Sequence, residues 1–206
     1  MADEDFREVW ELRAEEWVRW ARGRELDHPF WNLNLPAMLE LLPAPGRLTL
    51  DVACGEGRVS RELARLGHRV LGIDSSPSLL AAAREADPDS ELLLADAAAT
   101  PLEDGAADLA VAFMVLMTVD DLAGVVNEVA RLLEPGGRFA IALLHPIETW
   151  ANAATPSYYD VATYEKDVVR DAGAMSFRDV HRPLGDYFRV LETAGFVVEQ
   201  LREPAP

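Results

Sequence analysis

The stretch from Leu50 to Asp74, LDVACGEGRVSRELARLGHRVLGID, constrains the fold more than any other. A short apolar run, Arg47–Val52, enters a glycine-rich turn. A helical stretch over Arg58–Leu66 follows with Val59, Leu63 and Leu66 on one face, and an apolar run over 69–74 ends on an acid. Two strands joined by a helix lie parallel, because the crossover returns the chain to the same end of the sheet. The rhythm then repeats. Pro77–Ala86 reads as a helix with proline in its first turn, and Glu91–Ala95 as a strand. Asp108–Phe113 is strand-like, Asp121–Leu133 is helical through Val125, Val126, Val129, Leu132 and Leu133, Glu134–Gly137 is a turn, and Arg138–Leu144 is a fifth strand. The expected fold is α/β, doubly wound, with a mainly parallel sheet and helices on both faces.

The flanks are less regular. Residues 6–22 space Phe6, Val9, Trp10, Trp17 and Trp20 close to a helical period among many charges, which predicts an amphipathic helix. Gly23 and Asp27-His28-Pro29 break it; a second helix is expected over Phe30–Leu42, closed by Pro43-Ala44-Pro45-Gly46. After His145 the rhythm stops. Residues 146–182 read as an irregular inserted flap with two short strand candidates around Asp171-Ala172-Gly173. Pro183–Ala194 reads as a helix closed by Gly195, and Phe196–Leu201 as a sixth strand. The chain divides as one domain: an N-terminal helical cap (1–45), a ligand-binding core (46–145), the flap (146–182) and a last helix and strand (183–206).

Composition narrows the partners. The 206 residues carry 36 acidic and 19 basic side chains, a net charge of −17. A field of that sign repels a polyphosphate, so nucleic acid is not expected as a partner. The single cysteine, Cys54, excludes an internal disulfide and suits a reducing compartment. No apolar run approaches the ~20 residues that span a bilayer, and the acidic start MADEDFREVWELRAEEW has no signal-peptide core. A cytoplasmic location away from membranes is expected.

The glycine turn limits the ligand. In open parallel sheets ligands sit beyond the carboxyl ends of the strands where strand order reverses, and the Ala53–Gly57 turn falls at such a place. A pyrophosphate fingerprint would need glycine at 53, 55 and 58; the residues are Ala53, Gly55 and Arg58. Asp51 places an acid at the mouth of the first strand, where it repels a diphosphate. Beside an ammonium or sulfonium it attracts by ~1–4 kcal/mol at contact, depending on the local dielectric. The turn suits a cationic nucleoside that bears an amino acid. Arg58 is open to a surface pairing with Glu62, one helical turn on.

Taken together these elements resemble class I S-adenosylmethionine-dependent methyltransferases, from about Arg47 to Leu201. Asp51-Val52-Ala53-Cys54-Gly55-Glu56-Gly57 resembles the acid-x-Gly-x-Gly-x-Gly motif, with Ala53 in the first glycine's place. Leu71-Gly72-Ile73-Asp74 resembles the second-strand motif, and Ala95-Asp96-Ala97 the third. Asp108-Leu109-Ala110 and Arg131–Gly137 resemble the fourth strand and the turn before the fifth. The resemblance implies a Rossmann-like sheet and S-adenosylmethionine as cofactor, leaving as S-adenosylhomocysteine. It implies binding roles for Asp51, Ala53, Gly55 and Gly57; for Asp74 and its neighbour Ser75 at the ribose diol; and for Asp96 and Ala97 at the adenine. Phe113 and Met114 suit an apolar wall, with Val115 and Met117 behind them.

The same resemblance implies methyl transfer to O, N or C of a small organic molecule. An Asn-Pro-Pro-Tyr-like motif of nucleobase or glutamine methylation does not follow the fourth strand. The chemistry requires no metal, and the four histidines are scattered. His145, after the fifth strand, and His181, in His-Arg-Pro-Leu before the last helix, are the candidate general bases; each is equally open to a turn or capping role. Trp20, Phe30, Trp31 and Tyr158 are candidates for the acceptor pocket, whereas Trp10 and Trp17 read as packing. The family's final antiparallel strand has no counterpart, since only Glu203-Pro204-Ala205-Pro206 remains. Its absence leaves a bare sheet edge, which a homodimer or the flap is expected to cover. Two other readings stand beside the leading one: a nicotinamide-dependent oxidoreductase, and a non-catalytic S-adenosylmethionine-binding protein.

Overall fold

In the computed structural model, which describes residues 5–204, the strands are β1 (Thr49–Val52), β2 (Val70–Asp74), β3 (Glu91–Leu94), β4 (Ala107–Phe113) and β5 (Leu133–Ala142). They form one sheet in the order β3-β2-β1-β4-β5, every pair parallel. The central strand β4, ADLAVAF, shows why. Leu109, Val111 and Phe113 pack with Val59 and Leu63 on one face. Ala110 and Ala112 pack with Val125, Val126 and Val129 on the other. An alternating backbone with apolar residues at nearly every position is stable only when both faces are covered. The covering helices are α4 (Arg58–Arg65) and α5 (Pro77–Ala86) on one side, and α6 (Leu122–Leu132) with α8 (Leu184–Thr193) on the other. Side-chain caps start two of them: Ser76 Oγ accepts from Leu79 N, and Asp121 Oδ1 from Gly124 N.

Between β1 and β4 the strand order reverses, so a crevice opens beyond their carboxyl ends. The expected turn Glu134–Gly137 lies within β5 as an excursion: Ala107 pairs Leu133, and the ladder resumes at Leu109 and Arg138. At the N-terminus the expected single helix is two, α1 (Phe6–Leu12) and α2 (Ala14–Arg22), broken at Arg13. The expected helix over 30–42 is a π-helical turn, Phe30–Asn34, running into α3 (Leu35–Leu39). Pro36 has no N–H for the carbonyl one turn back, and the widened turn lies where that bond is missing.

The flap is more ordered than the sequence suggests. It holds α7 (Pro146–Ala153) and an antiparallel hairpin of β6 (Ala162–Arg170) and β7 (Gly173–His181), turning at Asp171-Ala172. Met175 packs on Trp20 and Leu26, and Val180 N donates to Met117 O at 2.7 Å, so the hairpin bridges α2 and the loop after β4.

The sixth strand expected over Phe196–Leu201 does not form; this corrects the sequence reading. Val197, Val198 and Leu201 are exposed, and after α8 no described residue joins a ladder. The tail instead lies against β5 through side chains. Phe196 meets Phe139, Arg138 Nε lies 3.3 Å from Glu199, and His145 Nε2 2.9 Å from Glu203. Among the described residues no helix is long and apolar enough to cross a membrane.

Candidate functional site

A cavity of about 870 Å³ opens at the carboxyl ends of β1, β2 and β4. It lies under the two N-terminal helices and the flap hairpin, which contribute Trp10, Trp17, Trp20 and Phe177 to its wall. Its floor is built by the strand ends. Ala53 after β1 and Met114 after β4 both hold left-handed backbone, at φ 52° and 57°. Side chains with a Cβ resist that region by ~1–2 kcal/mol each, and such strain is characteristic of sites shaped for a ligand. Gly55, at φ 57°, adds closeness: a Cβ there would stand 3.1 Å from Trp17 Nε1. Gly57 does not line the cavity. It caps α4 at φ 78°, and a Cβ would press on Ala83 of α5 at 3.2 Å, so it lets the two helices approach.

Three acids stand in a row along the strand ends. Asp51 is buried, and Ser60 Oγ on α4 donates to its Oδ2 at 2.5 Å. Burial pushes its carboxyl up to about 7; Ser60 opposes the shift and Asp74 adds to it. A buried acid beside a second acid favours a cation that restores its ionised form. Asp74 locks the glycine turn, its Oδ2 accepting from Gly55 N and its Oδ1 from Ser76 N, both at 2.8 Å. Burial raises its carboxyl too, against those backbone bonds. Ser75 lines the cavity beside it. Asp96 is more open: Oδ1 accepts from Ala98 N at 2.9 Å, and Oδ2 meets Arg7 Nη1 of α1 at 2.5 Å. Ala97, Phe113 and Met114 complete this side of the wall.

On the opposite side the aromatic rings stack edge to face. Trp10–Trp17 centroids are 5.5 Å apart and Trp20–Phe177 5.7 Å. Arg58 is buried, pairs with Asp27 at 2.7 Å, and lies 3.6 Å over the Phe30 ring. Of the two roles left open for Arg58, the surface pairing with Glu62 does not form: Glu62 pairs with Arg65 instead. Asp27 was not singled out, because it comes from a loop distant in sequence.

The other residues named from sequence lie apart. His145 is outside the wall and caps α7, its Nδ1 accepting from Ile147 N at 3.2 Å while Nε2 faces Glu203. His181 is fully buried behind the wall, with Nδ1 2.8 Å from Thr149 Oγ1 and Nε2 2.9 Å from Tyr158 O. Both ring nitrogens are engaged, which leaves neither free for a reacting proton. Tyr158 does not line the cavity; its Oη accepts from Leu184 N at 2.8 Å. Trp31 packs beside Phe30 at 4.7 Å, again off the wall. Trp20 and Phe30 do line it. Trp10 and Trp17, read as packing, line it as well: Trp17 on α2 meets Phe177 of the hairpin, and Trp10 on α1 packs edge-on against Trp17.

Residues 50–141 match the family described as methyltransferase domain. An uncharacterised methyltransferase of Synechocystis sp. is 35% identical over 109 residues, covering 52% of this chain and 51% of the relative. A probable S-adenosylmethionine-dependent methyltransferase of Mycolicibacterium smegmatis is 30% identical over 154 residues, covering 75% of this chain and 53% of the relative. The chain thus spans about half the length of these curated relatives. Among solved structures, an S-adenosylmethionine-dependent methyltransferase from Mesorhizobium loti superposes with a TM-score of 0.67 at 27% identity. That match covers 88% of this chain and 84% of the other.

Proposed function

We propose that the chain is, through its core, a class I S-adenosylmethionine-dependent methyltransferase, and that it binds S-adenosylmethionine and passes its methyl group to a small organic acceptor. The observation that carries the reading is the buried carboxyl of Asp51, held toward neutrality at the mouth of β1 and open to the cavity.

The donor set fits the cofactor. Asp51 faces the charged methionine end, and the Ala53–Gly55 turn lets backbone approach it. Asp74 keeps lone pairs for a ribose diol after its two backbone bonds. Asp96 with the backbone of Ala97 and Ala98 addresses the adenine edge, and Phe113 and Met114 cover the ring. When bound, the sulfonium supplies an electrophilic methyl group. The protein's part is to hold an acceptor atom in line with it and to keep water out, by positioning rather than by covalent chemistry. The lid of Trp10, Trp17, Trp20 and Phe177 supplies the exclusion. At about 870 Å³ the cavity lies in the upper part of the ~300–1,000 Å³ range of small-ligand pockets, with room for an acceptor beside the cofactor.

His145 and His181 are not part of this proposal, since both are occupied in capping and packing. For a homodimer through the edge of β5, the tail that lies along that strand would have to move. Titration calorimetry with S-adenosylmethionine and, separately, NADH tests the cofactor assignment. Micromolar binding of the first alone is expected; preference for NADH would overturn it.

A further inference from the structure

One buried acid on the cavity wall has no part in holding a cofactor. Asp179 lies on β7 and is almost fully buried, yet it faces the cavity. Strand alternation sends Met175, Phe177 and Asp179 to one face. Met175 packs on Trp20, and Phe177 on Trp17 and Trp20, so the carboxyl stands next to the aromatic lid. Directly across the hairpin, Tyr164 Oη donates to Asp179 Oδ2 at 3.1 Å. Among the described residues no other hydrogen bond reaches this carboxyl. A carboxylate has about four acceptor positions, so most of the bonding capacity of this wall residue is unused.

The surrounding charges select what fills it. The groups facing Asp179 are Tyr164 and Lys166 on β6, Glu148 on α7 and Tyr187 on α8. Lys166 is held by Glu148 at 3.3 Å. Arg7 and Arg58 on the cavity wall are likewise committed, to Asp96 and Asp27. Arg170 is the wall cation outside these pairs. An acceptor carrying a carboxylate would meet an excess of acids, whereas an N–H group meets an unfilled acceptor.

We propose that the acceptor is an aromatic amine, its ring against Phe177 and Trp17 and its nitrogen held by Asp179, which takes the nitrogen's proton; this rests on the methyl-transfer reading above. The nitrogen lone pair forms the new N–CH3 bond as the S–CH3 bond breaks and its electron pair goes to sulfur. The displaced N–H proton passes to Asp179, so a cationic sulfonium and an anionic carboxylate become a neutral thioether and a neutral acid. Burial lifts the Asp179 carboxyl to about 6, with Tyr164 and Lys166 holding it down. It is therefore ionised at neutral pH and basic enough to accept a proton from an anilinium-type nitrogen.

The test uses three matched indoles, 5-aminoindole, 5-hydroxyindole and indole-5-carboxylate, titrated into protein saturated with S-adenosylhomocysteine. Methylation of each with S-adenosylmethionine is followed in parallel. The wild type is expected to bind the amine at least tenfold tighter than the carboxylate and to methylate it on nitrogen. Asp179→Asn should lose the tenfold preference and at least a hundredfold in turnover, with S-adenosylmethionine affinity within twofold. Tyr164→Phe keeps the carboxylate but removes its donor, so the acid limb of the pH–rate profile should move to higher pH, a shift that a merely structural role does not produce. Tighter binding of the carboxylate, binding of none of the three, or an unimpaired Asp179→Asn enzyme would overturn the proposal. Failure of the wild type to bind S-adenosylmethionine would instead overturn the methyl-transfer reading, and the amine preference in the absence of cofactor would then stand or fall separately.

Discussion

Arg7 on α1 reaches across the mouth of the cavity to Asp96, Nη1 to Oδ2 at 2.5 Å. The same helix is tied at two other points: Phe6 N donates to Asp120, and Glu11 accepts from Ser76 and Ser78. The first helix therefore lies over the acid assigned to the adenine edge, and a nucleoside must compete with Arg7 to reach it. Arg7→Gln should speed cofactor association severalfold in stopped-flow binding. Stability should change by less than about 1 kcal/mol, since exposed ion pairs contribute little. An unchanged association rate would show that α1 does not gate the site.

Ala53 occupies a left-handed position that its Cβ disfavours. Ala53→Gly should raise stability by about 1 kcal/mol in thermal or denaturant unfolding. A loss of stability would mean that the methyl group packs usefully against the turn.

Asp74 accepts one backbone N–H on each carboxylate oxygen. Asp74→Asn turns one acceptor into a donor facing an N–H, so one bond is lost and one contact becomes repulsive. A loss of ~1–3 kcal/mol in stability is expected, together with at least tenfold weaker S-adenosylmethionine binding. Unfolding curves and calorimetry check the two separately.

Asp51 makes stability depend on pH with a defined sign. Its folded carboxyl is lifted to about 7, against an unfolded value of ~3.9. Between those values the folded state binds more protons, so stability contributed by this group is greatest below pH 4 and is lost as pH rises through 7. Asp51→Asn should therefore stabilise the protein progressively from pH 4 to 7 and by a constant amount above. The full effect is on the order of 2–4 kcal/mol. A flat difference across that range would remove Asp51 from the titrating groups.

The core was legible because its signals are local. Asp51, Asp74 and Asp96 each follow an apolar run, and Gly55 and Gly57 punctuate a turn, so a reader of the chain meets strand, turn and acid in order. The flap was not. ATYEKDVVR and GAMSFRDVH mix charged, polar and apolar residues without a clean alternation, because the hairpin pairs with itself and packs only partly, on α2 and α7. Its lengths are set by that pairing rather than by apolar period. FVVEQL shows the converse error: β-forming residues without a partner strand give an exposed tail. The histidines lie off the cavity wall, one capping α7 and one packed behind that wall, because a ring near a strand end serves a cap as readily as a proton transfer. Asp179 was hidden among other acids, and only the cross-strand position of Tyr164 singles it out.

The most direct measurement is titration calorimetry of S-adenosylmethionine against the wild type and Asp51→Asn from pH 6 to 8, in two buffers of different ionisation enthalpy. Wild-type binding should tighten as pH rises and release a proton near pH 7, as the cation draws Asp51 into its ionised form. The variant should bind at least tenfold more weakly at pH 8 and release none. Equal affinity in the two proteins, with no proton released from either, would contradict the account.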